Sequence, residues 1–191
     1  MIGRSMDQLA VGDAATLSRI VTEHDLAGFV DSVGDRNPVH SDRAFAASTP
    51  FREPIAPGIW TAGLISALIG TRLPGPGSIY VSQDLRFLRP VKLGDTITAR
   101  VEITELLPER NRARLKTTCL NTQGEEVLSG EAWVLPPKHP IHYVEEQPGS
   151  AALSGWMLQP FACAAQALAF WWMLGASAFA LGVAPGRCDQ T

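Results

Sequence analysis

Charged residues are scarce in this 191-residue chain, at 18% of the total, whereas hydrophobic residues make up 46%. This balance excludes an intrinsically disordered protein and predicts either extensive burial or contact with a membrane. The net charge is −3 and there is no basic run, which argues against a nucleic-acid partner. The three cysteines, Cys119, Cys163 and Cys188, show neither CxxC spacing nor a disulfide framework, and are typical of a reducing cytosol.

Other common signals are missing as well. The N-terminal letters MIGRSMDQLAVGD contain no apolar stretch, so we expect no signal peptide. No glycine-rich phosphate loop follows a predicted strand, which leaves a Rossmann-type cofactor unsupported. The histidines do not have metal-ligand spacing: His24, His40, His139 and His142. We therefore expect a cytoplasmic protein that needs neither a cofactor nor a metal.

The richest concentration of chemical groups is GDRNPVH, residues 34–40. Pro38 lacks an N–H and disfavours a helical conformation at Asn37, so the segment is predicted to be a bent loop. A loop can turn the carboxylate of Asp35 and the imidazole of His40 toward one point, where together they can hold a water molecule. Taken alone, such a pair is more often two surface polar groups than a catalytic site.

A helix is predicted immediately before this loop. Residues 14–21 are expected to form a strand, and Thr22 then has the character of an N-cap, with Asp25 as its capping-box partner. Gly34 is suited to end the helix in a left-handed conformation. The apolar residues between them have helical spacing: Leu26, Phe29, Val30 and Val33.

Residues 58–72, GIWTAGLISALIGTR, predict a second and more apolar helix of about 22 Å. It is too short to span a membrane. A helix that is apolar all round is buried, so we expect a central helix wrapped by a sheet. It contains no Asp or Glu. In the preceding segment, residues 41–49, Phe45 and Ala46 are expected to pack inward.

Four later segments predict antiparallel strands: residues 78–88, 95–107, 112–121 and 127–135. The second alternates clearly, with one apolar face formed by Ile97, Ala99, Val101 and Ile103. Gln123 and Gly124 suit a hairpin turn. One buried helix against such a sheet is an α+β fold.

The C-terminal part differs in composition. PPKHP, from Pro136, predicts a linker, which divides the chain into a domain (1–137), a linker (138–147) and a hydrophobic tail (148–191). Residues 147–186 are 40 positions without one Asp, Glu, Lys or Arg, and residues 161–183 are long enough to cross a membrane. Three interpretations stay open: a helix packed on the domain or on a partner subunit, a membrane anchor with membrane-associated localisation, or a non-native tail from a shifted reading frame.

The run GDRNPVHSDRAFA, followed by REPIAPGI, a polar-poor helix and LRFLRPVKLGD, resembles the MaoC-like (R)-specific enoyl-CoA hydratases. The resemblance covers residues from about 15 to 136 in one collinear order. It implies a hotdog fold, a homodimer and an acyl-CoA substrate. It also implies that Asp35 and His40 form the catalytic dyad, and that the N–H of Gly58 binds the thioester oxygen.

Three other positions carry weaker implications. Ser66 matches a helix serine near the active site of the family, although it can also be bonded to its own backbone. Asn37 can orient a member of the dyad or form an Asx-turn before proline. Pro57 departs from the family, whose close hydratases usually carry a histidine there, so a polar neighbour of the oxyanion site is gone.

The resemblance predicts hydration of trans-2-enoyl-CoA to (R)-3-hydroxyacyl-CoA, and the reverse dehydration. Arg86, Arg89 and Lys92 are candidates to bind the CoA phosphates, or else form an ordinary charged strand edge. A hotdog acyl-CoA thioesterase is one alternative, disfavoured because the central helix has no carboxylate. A non-catalytic acyl-CoA-binding or scaffold module is the other.

Overall fold

A five-stranded antiparallel sheet is the largest element of the computed structural model, which describes residues 1–144. The predicted tail of residues 148–191 lies outside the described residues. The strands of the sheet follow the order β2–β4–β5–β6–β3. They are β2 (Ala14–Ile20), β3 (Ile79–Phe87), β4 (Thr96–Leu107), β5 (Arg112–Leu120) and β6 (Glu126–Leu135).

The first helix, α1 (Glu23–Val33), has the ends that its sequence predicts. The hydroxyl oxygen of Thr22 accepts the N–H of Asp25 at 3.1 Å, and the carboxylate of Asp25 accepts the Thr22 hydroxyl at 2.6 Å. Hydrogen bonding from Arg19, and secondarily from Thr22, lowers the pKa of Asp25 to about 2. Gly34 ends the helix with φ 74°. This glycine fixes the point at which the loop of residues 34–40 begins.

Two further helices follow, α2 (Arg43–Ser48) and α3 (Gly58–Thr71). In α2, Ala46 is buried as predicted, whereas Phe45 is 45% exposed, so its predicted inward packing is wrong. The short helix presents only one narrow face to the domain, and adjacent residues cannot both occupy it.

The sheet covers one face of α3. The buried residues of this helix are Trp60, Thr61, Leu64, Ile65, Leu68 and Ile69. The opposite face is exposed and consists mainly of small residues: Gly63, Ser66, Ala67 and Gly70. The expectation of a helix buried on every side is therefore wrong for the single chain, because one layer of sheet can cover only one side of a helix.

The core lies between α3 and the inner face of the sheet. The predicted alternation along β4 is confirmed, since Ile97, Ala99, Val101 and Ile103 are all fully buried. Each buried aliphatic side chain of this size contributes about 1.5–3 kcal/mol relative to an exposed one. The predicted hairpin turn is also present, with Gly124 at φ 77° and its N–H donating to the carbonyl of Asn121.

Two short strands that the sequence did not predict join the ends of the described chain. β1 (Ile2–Gly3) pairs with β7 (Ile141–His142), which lies inside the predicted linker of residues 138–147. Strands of two residues show no periodicity by which a sequence could reveal them. Within residues 1–144, no helix has both the length and the hydropathy needed to cross a membrane, and the proposed anchor at 161–183 lies outside the described residues.

A chain that ends after Val144 should unfold cooperatively, because the buried hydrophobic residues run from Leu9 to Val134. A chain that ends after Lys138 lacks β7 and leaves β1 without its partner strand, so we expect a lower melting temperature. Circular dichroism during heating of the two truncations measures the difference. Equal melting temperatures would show that the β1–β7 pair does not stabilise the domain.

Candidate active site

The loop between α1 and α2 is held by side chains that bond to nearby backbone. The carboxylate of Asp35 accepts the N–H of Asn37 at 3.2 Å, and the side-chain oxygen of Asn37 accepts the N–H of Val39 at 3.3 Å. A 3₁₀ turn, Pro38–His40, follows, and its last residue carries the imidazole. Asn37 was predicted either to orient a member of the dyad or to form an Asx-turn. Its side-chain hydrogen bond with the N–H of Val39 is that of an Asx-turn.

The orientation of His40 follows from one hydrogen bond. Its Nδ1 lies 2.7 Å from the carbonyl oxygen of Ile55. Because a carbonyl can only accept, Nδ1 carries the hydrogen, and in the neutral ring Nε2 is left as an acceptor. Nε2 lies 3.7 Å from a carboxylate oxygen of Asp35. That distance is too long for a direct hydrogen bond, but both atoms can accept hydrogen bonds from one shared water molecule.

A cavity of about 470 Å³ lies beside this pair. His40 and Gly58 both contribute to its wall, and most other residues around it are apolar, including Phe51, Ile55, Phe87 and Val127. Asp35, Asn37 and Ser66 are not among its lining residues. The structure therefore brings three of the predicted site residues to the cavity wall, His40, Gly58 and Arg89, and it brings Asp35 close through its proximity to His40.

Gly58 is the first residue of α3, with Pro57 as the N-cap. Its N–H has no recorded acceptor in residues 1–144, as expected at a helix N-terminus, where the helix dipole also favours negative charge. A Cβ at this position would lie 2.7 Å from the ring of Phe87. The wall of the cavity therefore leaves no space for a side chain at residue 58.

A second cavity, of about 390 Å³, also touches His40. Its lining includes the apolar residues Leu26, Val30 and Leu93, together with Glu23 and Arg43. The last two form an ion pair at 2.7 Å, and both are largely exposed. The imidazole of His40 is thus shared by two cavities.

The three predicted phosphate-binding cations do not converge on the first cavity. Arg89 lines it, but the guanidinium donates to the backbone carbonyl of Glu126 at 2.7 Å. Lys92 forms an ion pair with Glu53, whose hydrogen bond raises the pKa of the lysine. Arg86 lines a separate surface depression on the sheet. Only Arg89 stands where it can meet a ligand of the cavity.

Thr61 lines the same cavity and was missed from the sequence. It lies three residues after Gly58, a spacing that places both on one face of α3 and would have been sufficient to predict it.

The thiol of Cys119 lies 3.9 Å from the carbonyl oxygen of Thr61. Burial raises the pKa of Cys119 to about 12, so this thiol stays protonated near neutral pH.

An antiparallel sheet packed on one long helix, with a histidine and a carboxylate beside the start of that helix, defines a protein of the hotdog class. Residues 10–125 match the MaoC like domain family. The chain belongs to this family.

Several relatives and solved structures are similar to it. The 3-hydroxybutyryl-CoA dehydratase of Methylorubrum extorquens is 52% identical over 132 residues, which are 69% of this chain and 83% of that protein. The (R)-specific enoyl-CoA hydratase of Aeromonas caviae is 43% identical over 70% of this chain and 99% of that protein. An unliganded R-hydratase from Pseudomonas aeruginosa matches with a TM-score of 0.72 at 44% identity, over 77% of this chain and 95% of that chain. The predicted family and fold are confirmed.

Replacing Gly58 with Ala should destabilise the protein by about 1–2 kcal/mol, because the added methyl group displaces the ring of Phe87. Gly63→Ala on the same helix is the matched control. A Cβ at residue 63 meets nothing within 4 Å, so this change should stabilise by about 0.5–1 kcal/mol through helix propensity. Urea denaturation measures both. Adding Phe87→Leu to the Gly58→Ala variant should recover part of the loss, and no recovery would argue against the clash.

Proposed function

We propose that this protein adds water across the double bond of a trans-2-enoyl-CoA to give the (R)-3-hydroxyacyl-CoA, and that it catalyses the reverse dehydration. It is then a hydro-lyase. The observation that carries the proposal is the spacing of 3.7 Å between Nε2 of His40 and Asp35, beside a cavity that also reaches the free N–H of Gly58. Relatives that are 43–52% identical bear the names (R)-specific enoyl-CoA hydratase and 3-hydroxybutyryl-CoA dehydratase, which supports it.

The dyad prepares the water for attack. A water molecule held by Asp35 and His40 donates one hydrogen to the carboxylate and the other to Nε2. Its oxygen lone pairs then face the cavity, where the β-carbon of the substrate lies. One member of the dyad removes a proton from this water as the C–O bond forms, and the α-carbon receives a proton from the dyad. Because Nδ1 of His40 donates to Ile55, the imidazole is held in the tautomer that this requires.

The start of α3 stabilises the charge that develops on the thioester. When water adds to the β-carbon, electrons move toward the carbonyl oxygen, which takes on enolate character. Within residues 1–144 the N–H of Gly58 has no acceptor, and it points from a positive helix end. Removing one such donor typically costs about 10²–10³ in rate. Pro57 is the N-cap of α3 in place of the histidine that the resemblance implies, and the backbone donor of Gly58 does not depend on that side chain.

The acyl chain and the CoA occupy different surroundings. The apolar lining of the first cavity suits a short or medium acyl chain, and Arg89 is the cation placed to meet a phosphate at its edge. Arg86 and Lys92 remain further candidates for the CoA, and Ser66, which is exposed on α3, remains a candidate pocket residue. We place the reaction in fatty acid metabolism and the enzyme in the cytoplasm, with membrane contact through residues 161–183 as the alternative.

Hydration of crotonyl-CoA by the purified protein tests the proposal. The decrease of enoyl absorbance measures hydration, and the appearance of free thiol measures thioester hydrolysis in the same sample. Thiol release without hydration would favour the thioesterase. The absence of Asp and Glu from α3 counts against that reaction. If the protein shows neither hydration nor thiol release, a non-catalytic binding module would be favoured.

Asp35→Asn and His40→Gln should each lower kcat for hydration by at least ~10², because each removes a proton-transfer group. The Asp35 side chain is 36% exposed, so Asp35→Asn should leave the melting temperature close to that of the wild type. The His40 side chain is 10% exposed and bonds to the carbonyl of Ile55, so His40→Gln should lower the melting temperature, and its activity is compared at a temperature where it is folded. Asp31→Asn is a matched control, since this carboxylate lies on α1 and lines only the second cavity. Wild-type turnover in a folded dyad variant would remove that residue from the mechanism.

We also propose a homodimer in which two sheets join edge to edge along β3. Within residues 1–144 this strand pairs only with β6. It and the residue after it carry exposed apolar side chains: Ile79, Val81, Phe87 and Leu88. An open edge of this kind is an aggregation hazard unless it is covered, and a symmetric dimer is the commonest cover.

Val81→Lys should dissociate this dimer, because it places a charged, strongly hydrated side chain on the apolar edge of both copies. Val11→Lys is the control, since Val11 is 64% exposed in a loop far from β3 in sequence. Light scattering measures the mass of each. A wild-type protein that is monomeric and active would contradict the proposal, as would a Val81→Lys variant that stays dimeric.

A further inference from the structure

One hydroxyl in the wall of the first cavity has no hydrogen-bond partner in the part of the chain that the structure describes. Within residues 1–144, three buried side-chain atoms lack a partner: Oγ1 of Thr61, Oγ of Ser78 and Nε of Arg114. Of these residues only Thr61 lines the cavity that contains His40 and Gly58. It is 2% exposed. Native proteins pair nearly all such atoms, so an unpaired hydroxyl at this place calls for a functional explanation.

A second threonine on the same helix shows what is unusual about Thr61. The hydroxyl of Thr71 donates to the carbonyl of Ala67, four residues earlier, at 2.7 Å. This is the ordinary bond of a helical threonine. The corresponding acceptor for Thr61 is the carbonyl of Pro57, which accepts the N–H of Trp60, and the Thr61 hydroxyl makes no hydrogen bond to it. The Thr61 hydroxyl is therefore left available.

The position of Thr61 brings its side chain close to the helix start. Residues three apart lie on one helix face, and helical side chains lean toward the N-terminus, so Thr61 leans over the turn that begins with Gly58. Threonine populates two rotamers in helices. Rotation about the Cα–Cβ bond can therefore redirect the hydroxyl without moving the backbone.

We propose that Thr61 is a second hydrogen-bond donor to the thioester oxygen, beside the N–H of Gly58. This rests on the proposed function, in which that oxygen lies at the start of α3. A carbonyl oxygen has two lone pairs, so it accepts both donors. As water adds to the β-carbon and negative charge accumulates on the oxygen, the bond from the Thr61 hydroxyl strengthens and lowers the barrier.

Three variants separate the hydroxyl from the shape of the side chain. Thr61→Val keeps the shape and removes the hydroxyl, Thr61→Ser keeps the hydroxyl, and Thr71→Val makes the same change elsewhere on α3. We expect Thr61→Val to lower kcat/KM for crotonyl-CoA by about 10²-fold, with Thr61→Ser and Thr71→Val close to the wild type. The melting temperature of Thr61→Val should not fall, because the hydroxyl that it loses has no partner among the described residues.

A spectroscopic measurement reports the hydrogen bond itself. Butyryl-CoA labelled with ¹³C at the thioester carbonyl is a non-reacting probe whose infrared stretching frequency falls when donors bind its oxygen. The frequency should be low on the wild type and on Thr61→Ser, and higher on Thr61→Val. A role of Thr61 in packing alone would leave this frequency unchanged.

The proposal is overturned if Thr61→Val keeps wild-type kcat/KM, if the Ser and Val variants lose activity equally, or if the carbonyl frequency does not respond to Thr61→Val. If the Val variant does not fold, Thr61→Ala compared with Thr61→Ser makes the same distinction. A wild type that binds butyryl-CoA but does not hydrate crotonyl-CoA would refute the proposed function. The frequency difference would still decide whether Thr61 donates to the bound thioester.

Discussion

The hydrogen bond from Nδ1 of His40 to the carbonyl of Ile55 is the contact on which the site depends. It selects the tautomer that leaves Nε2 free, and it fixes the plane of the imidazole against the cavity wall. The carbonyl is itself held in place, since the N–H of Ile55 donates to Val39 and the residue bridges to Lys92. A backbone acceptor cannot be removed by a side-chain substitution, so this orientation tolerates considerable sequence change around it.

Much of this arrangement could be predicted because it depends on interactions between residues that are close together in the sequence. The capping pair Thr22 and Asp25, the glycine at residue 34 and the period-two pattern of β4 each depend on neighbouring residues only. The strand boundaries follow within one or two residues. The position of His40 and Gly58 at one cavity came from the resemblance of their motifs, since no periodicity brings residues 40 and 58 together.

The surroundings of the three cations are decided differently, by where distant parts of the chain meet. Lys92 is engaged by Glu53, and Arg86 and Arg89 lie at different depressions although they are close in sequence. Such pairings have no local signature. The partner carbonyl of His40 is a backbone atom, and the residue type at position 55 does not reveal it.

The pairing of β1 with β7 also brings the two ends of the described residues together. The α-amino group of Met1 donates to the carbonyl of Tyr143 at 2.6 Å, and the N–H of Tyr143 donates back to Met1. Residues 1 and 144 are therefore neighbours in space, and a linker of a few residues would join them without strain. New ends could then be opened at the exposed turn between β5 and β6. The order of the elements along the chain is thus separable from their arrangement in the fold, and a circularly permuted domain would have the same loop at residues 34–40, the same helix start and the same cavity.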